Sequence, residues 1–189
     1  MKKIFIPVCG LLMMLSFAAC GREKENKTGG GDEQKTQADR AEDVYAVDDG
    51  GKYISVAGAK IRIAYTGDND NFIKKFPSFL TYSVGSGSGE KFIISTDTVL
   101  RDFAFLEGSY DFTDDKISFA FDTVSYSVKA LSPEKPFLAV DAYIEKWPTY
   151  GISFTDANGR KRYFRIYWSG MDGSLSLEEC NAKGGALPQ

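Results

Sequence analysis

The chain has 189 residues, 43% apolar, 14% aromatic and 26% charged, with 23 basic groups against 26 acidic ones. That is the composition of one globular domain with some extra chain, and a net charge of −3 gives no field for nucleic acid. There is no histidine, which removes Ser-His and Cys-His catalysis, imidazole proton shuttles, and zinc, copper or haem held by imidazole.

Lys2-Lys3 precede an uncharged run from Ile4 to Ala19, 16 residues that include Pro7 and Gly10. The run is shorter than the ~18–20 residues a spanning helix needs, and a charged start before a short apolar stretch marks an export signal. Its end, Ser16-Phe17-Ala18-Ala19-Cys20-Gly21, resembles the lipobox of bacterial lipoproteins. The resemblance implies that residues 1–19 are removed and that Cys20 becomes the lipid-bearing first residue of a chain anchored in the bacterial cell envelope. Gly21 stands where lipoproteins kept at an inner membrane often carry aspartate, so an outer-membrane or surface address is expected. On this reading Cys9 leaves with the signal, Cys20 is lipidated, and Cys180 has no partner for an internal disulfide.

Residues 20–43 follow as a tether. After Cys20 they carry no large apolar side chain, contain Gly29-Gly30-Gly31, and cannot bury enough surface to offset their ordering entropy. A β-rich domain is expected over residues 44–181, then a loose tail over 182–189. Ile61, Ile63 and Tyr65 alternate with polar neighbours, as do Ile117, Phe119 and Phe121, then Val124, Tyr126 and Val128, then Leu138, Val140, Ala142 and Ile144. A period of two marks half-buried antiparallel strands. Asp70 to Phe76 predicts one short helical turn, ended by Pro77. The fold class is therefore all-β, an antiparallel sandwich or partly open barrel of about eight to eleven strands. Gly85-Ser86-Gly87-Ser88-Gly89 lacks the Lys-Ser/Thr and helix of a phosphate loop and reads as a hairpin loop.

Near the carboxy terminus, Asp156-Ala157-Asn158-Gly159 predicts a tight turn with Gly159 left-handed. It sets Phe154 opposite Arg162 and Ile152 opposite Phe164. Asp172-Gly173 predicts a two-residue turn setting Trp168 against Leu177 and Glu178 against Tyr167. Both registers place Ile152, Phe154, Phe164, Ile166, Trp168, Leu175 and Leu177 on one face. Ser153, Lys161, Tyr163, Arg165 and Tyr167 lie on the other. Residues 148–154, with Arg162-Tyr163-Phe164 and Asp172-Gly173-Ser174, are similar to uncharacterised exported bacterial proteins, and this similarity implies no function.

Lys161, Tyr163, Arg165 and Tyr167 form the candidate binding stripe, since rings on a sheet face can stack on sugars and arginine can clamp a carboxylate. The same residues also suit plain cross-strand pairing with Glu178, or the floor under a second sheet. Acidic clusters at Asp48-Asp49, Asp68-Asn69-Asp70-Asn71 and Asp114-Asp115 match no calcium loop, and no cofactor is expected. The leading expectation is a non-enzymatic lipoprotein that binds a glycan or protein partner. The alternative is a glycoside-hydrolase-like enzyme with a carboxylate pair drawn from Asp97, Asp102, Asp111, Asp141 or Glu145. Cys180 has no histidine to activate it, and acidic neighbours Glu178 and Glu179, so it reads as a packed thiol.

Overall fold

A computed structural model describes residues 46–48, 51–66, 73–85, 89–113, 116–144, 147–169 and 172–187. The lipobox-like segment, the tether, Asp49, the cluster Asp68-Asn69-Asp70-Asn71, the pair Asp114-Asp115 and Glu145 lie outside them. Eleven strands run in chain order: β1 (Ala46–Asp48), β2 (Gly51–Val56), β3 (Ala59–Tyr65), β4 (Leu80–Ser83), β5 (Glu90–Thr96), β6 (Leu100–Thr113), β7 (Lys116–Leu131), β8 (Phe137–Ala142), β9 (Tyr150–Thr155), β10 (Lys161–Trp168) and β11 (Leu175–Cys180). They form two open sheets, ordered β1-β2-β3-β5-β8-β4 and β11-β10-β9-β6-β7. Every pairing is antiparallel except β4 with β8. The fold is an all-β sandwich.

The core lies between the sheets. Phe92, Phe103, Phe105, Phe137, Phe154 and Phe164 are among its fully buried side chains. Phe103 and Phe105 of β6 reach Phe137 of β8 with ring centroids 5.4 and 5.3 Å apart, which locks one sheet onto the other. One end of this core holds charge. Arg162 projects from the same face as Phe164 and is buried, with its guanidinium on Glu179 (Nε to Oε1 2.6 Å, Nη2 to Oε2 2.9 Å) and 3.5 Å from Asp156. A charge held there without those partners would cost several kcal/mol, on the order of 3–5.

The β9–β10 hairpin follows its turn chemistry. Gly159 has φ +80°, Asp156 N–H donates to Arg160 O at 2.9 Å, and Phe154 faces Arg162 with Ile152 facing Phe164. The Asp156 carboxylate accepts from the N–H groups of Asn158 and Arg160, both at 2.9 Å, which closes the loop from within.

Four expectations need correction. The β10–β11 register is shifted by two: Trp168 faces Leu175 and Arg165 faces Glu178. The loop is longer than two residues because Ser169 N–H donates to Ser174 O, Gly173 N–H to Ser169 O, and the Asp172 carboxylate accepts from Ser174. A shift of two keeps every side chain on its expected face.

The Gly85–Gly89 segment is not a hairpin loop, because β4 pairs with β8 and not with β5. Its described ends lie against β8, where a Cβ at Gly85 would stand 3.0 Å and one at Gly89 2.5 Å from Asp141 O. In β8 itself Phe137 and Ala139 face the core, while Leu138 and Val140 are only half-buried. Asp141, at φ +57°, breaks the alternation, and so Ala142 and Ile144 return to the interior.

Of the helical turn, the described part is a single turn with Phe76 N–H donating to Ile73 O at 3.1 Å. Lastly, residues 182–187 are not loose. Asn181 Oδ1 accepts from Lys183 N–H and Gly185 N–H, and Phe121 N–H donates to Lys183 O at 3.1 Å. Since β11 and β7 are opposite edges of their sheet, this segment is a strap across its outer face.

Candidate binding groove

β6 and β7 continue past the start of β9, which pairs Tyr150 with Glu107, and form an arm ending at the Thr113–Lys116 pair. The change of phase between Phe121 and Val124 falls where the β6–β7 register shifts. Such irregularities bend and twist a strand pair, and the arm turns its aromatic side onto the outer face of the sheet. Glycines make the seat. A Cβ on Gly151 would press into the Phe121 ring, and one on Gly184 (φ +84°) would lie 2.6 Å from Phe119 Cε1. Gly108 likewise leaves room for Phe119 Cζ, at 2.6 Å from its would-be Cβ.

The outer face is therefore not a bare solvent surface. Ser153 and Ser176 are buried, and Tyr163, Arg165 and Tyr167 are half-buried. Between arm, strap and sheet lies a groove of about 630 Å³. Arg165, Tyr167 and Glu178 form its floor, and Tyr110, Phe119 and Trp147 line it from the arm side. Gly185 and Ala186 of the strap complete it. Tyr110 packs on Phe119 at 5.0 Å and meets Trp147 edge-on at 5.3 Å and 75°. Trp147 keeps 46% of its surface exposed.

Of the four stripe residues, Arg165 and Tyr167 come together here. Lys161 lies elsewhere. Its ammonium donates to Asp102 O at 2.7 Å and lines a separate hollow of about 420 Å³ with Asp102 and Lys129. Burial lowers the Lys161 pKa, opposed by Asp102. Tyr163 lines neither. Arg165 donates to Glu178 Oε2 at 2.5 Å across the strand pair, so the cross-strand pairing exists, directly opposite and not diagonal. The Arg165 Nε is buried and makes no hydrogen bond. Burial raises the Tyr110 pKa, with Arg165 lowering it and Glu178 raising it.

Tyr110, Phe119 and Trp147 are the residues that the sequence reading passed over. Their signal lies in Gly108 and Gly151, since a glycine inside a strand often marks a close approach by another part of the chain.

Three of the carboxylates offered for hydrolysis hold structural contacts. Asp97 caps Lys60 N–H at 2.7 Å, and Asp141 accepts from Ser83 on the first sheet at 3.1 Å. Asp102, at φ +48° in a β6 irregularity, accepts from Thr155 at 3.0 Å. Asp111 lies nine residues farther along β6, about 30 Å away at strand rise. Cys180 is buried, and burial raises its pKa to about 12, as expected for a packed thiol. Among the described residues no group of three or more acids or thiols could hold a metal, and no described helix is long and apolar enough to cross a membrane.

A scan against protein-family models and searches of curated proteins and of solved structures find no match for this chain.

Proposed function

We propose that the protein is a lipid-anchored lipoprotein of the bacterial cell envelope, at the outer membrane or surface, whose folded domain is a non-enzymatic binding module for a glycan or protein partner. The anchor rests on Ser16-Phe17-Ala18-Ala19-Cys20-Gly21 and the charged, short apolar run before it. The binding role rests on one observation, the groove in which Trp147 stays exposed beside Tyr110 above an Arg165–Glu178 pair. An aromatic ring left partly in water next to paired polar groups is a ready contact surface for a ligand that is apolar on one side and polar on another.

Cys20→Ser tests the anchor. It should abolish lipid labelling and move the protein from the membrane fraction to the soluble one, since one acylated residue supplies the attachment. Retention of the variant on membranes after a high-salt wash sinks the lipoprotein reading. The groove is tested with the ligand classes set out below.

A further inference from the structure

We infer that the groove takes a neutral oligosaccharide, an inference that rests on the binding-module reading above. Two features carry it. The first is shape. The Tyr110 and Trp147 rings stand at 75° to one another, forming a corner in which one ring can lie flat against the C–H face of a sugar while the other meets its edge. Tyr167 adds a third ring on the floor. The second is charge. Among the described residues that line the groove, Arg165 and Glu178 are the charged ones, and they neutralise each other at 2.5 Å.

A uronate, a phosphate or an acidic peptide would have to take Arg165 from Glu178 and leave that carboxylate uncompensated. A basic ligand faces the converse cost. An uncharged polyol does not disturb the pair. Glu178, 47% exposed, keeps acceptor lone pairs for hydroxyl groups. An extended peptide draws affinity from main-chain bonds to a free strand edge. The floor here is the side-chain face of β10 and β11, where a ligand meets side chains; both edges of β10 are paired, and the outer edge of β11 lies beside that face and not on it.

The test is tryptophan fluorescence and saturation-transfer NMR on the full chain in detergent. The probes are maltohexaose, cellohexaose and chitohexaose, an acidic oligogalacturonate hexamer, and an uncharged hexapeptide. At least one neutral hexasaccharide should bind saturably and more tightly than the acidic hexamer or the peptide. Trp147→Ala and Tyr167→Ala should each weaken it about tenfold, the loss of one stacking ring, while Trp168→Phe, outside the groove, should not. Glu178→Gln leaves Arg165 uncompensated and should shift preference toward the acidic hexamer. That variant keeps the test open should Trp147→Ala fail to fold.

Tighter binding of the acidic hexamer or the peptide by the wild type, or saturation by none of the neutral probes, overturns the inference. If such binding still falls with Trp147→Ala, the groove remains the site and only its ligand class is wrong. Binding that ignores Trp147→Ala, Tyr167→Ala and Glu178→Gln removes the groove itself.

Discussion

Replacing Gly151 with alanine tests whether the arm lies on the sheet. Gly151 sits in β9 between Leu106 of β6 and Arg165 of β10, and it is buried. A Cβ there would lie 2.5 Å from the Phe164 carbonyl oxygen and would also press into the end of the Phe121 ring. The carbonyl belongs to a paired strand and yields little, whereas the half-buried ring can swing away. Overpacking of this kind costs typically 1–3 kcal/mol. With one obstacle rigid and one movable we expect about 2 kcal/mol, which for a domain of this size lowers Tm by roughly 4–8 °C.

Thermal unfolding followed by circular dichroism reads the shift. The double variant Gly151→Ala/Phe121→Ala should show less than the summed cost, because removing the ring removes part of the clash. The coupling between the two positions is thus the decisive quantity. A Gly151→Ala melting temperature within a degree of the wild type, or strictly additive effects, would refute the arm's placement and with it the groove.

The remaining expectations use the same physics. Gly159→Val meets no atom within 4 Å but must hold φ +80°, so strain alone should cost on the order of 1–3 kcal/mol, measurable as a lower urea midpoint. The Asp172 carboxyl is held well below its ordinary range first by the hydrogen bond from Lys52 and then by those from Ser174. Stability from this depressed group is present above the unfolded carboxylate value and is lost as pH falls through the folded one. Lys52→Met should therefore raise the Asp172 midpoint in a carbon-13 carboxyl titration, and an unchanged midpoint would contradict the assignment. Cys180 is shifted the other way, up to about 12 by burial. Its contribution is complete below the unfolded thiol value and declines as pH rises toward 12. The stability advantage of the wild type over Cys180→Ala should accordingly shrink between pH ~8 and ~10, and a constant difference would contradict it.

What the sequence disclosed depended on whether the deciding contact was local. The β9–β10 hairpin was legible because Asp156 and Gly159 settle its geometry within five residues. The β10–β11 turn has equally suggestive residues, but its Asp172 is also held by Lys52 from the other sheet, and no local pattern reports that. The faces survived the error because a two-residue shift preserves parity. In β8 both faces are apolar, so alternation could not choose between Phe137 and Leu138. The backbone reversal at Asp141 made the choice. The turn set Arg162 opposite Phe154, but its partner Glu179 was unreadable without the strand pairing. The groove was least legible. Its floor was half visible in Arg165 and Tyr167, whereas its walls come from three separated stretches that meet only where Gly108, Gly151 and Gly184 admit Phe119 and Phe121.

The strap also orders events in time. A growing chain emerges from the ribosome with its amino end first, so β6 and β7 are complete long before residues 181–187 exist. Until residues 181–187 are free, Phe121 lacks its Lys183 acceptor and Phe119 lacks the Gly184 surface against which it packs. The arm's aromatic side must wait uncovered until residues 181–187 have been made. Such a segment exposes apolar rings during the interval when chaperones and neighbouring chains can reach them. The same dependence works in reverse, since a protease that removes residues 181–187 would take away the Lys183 acceptor and the Gly184 surface together.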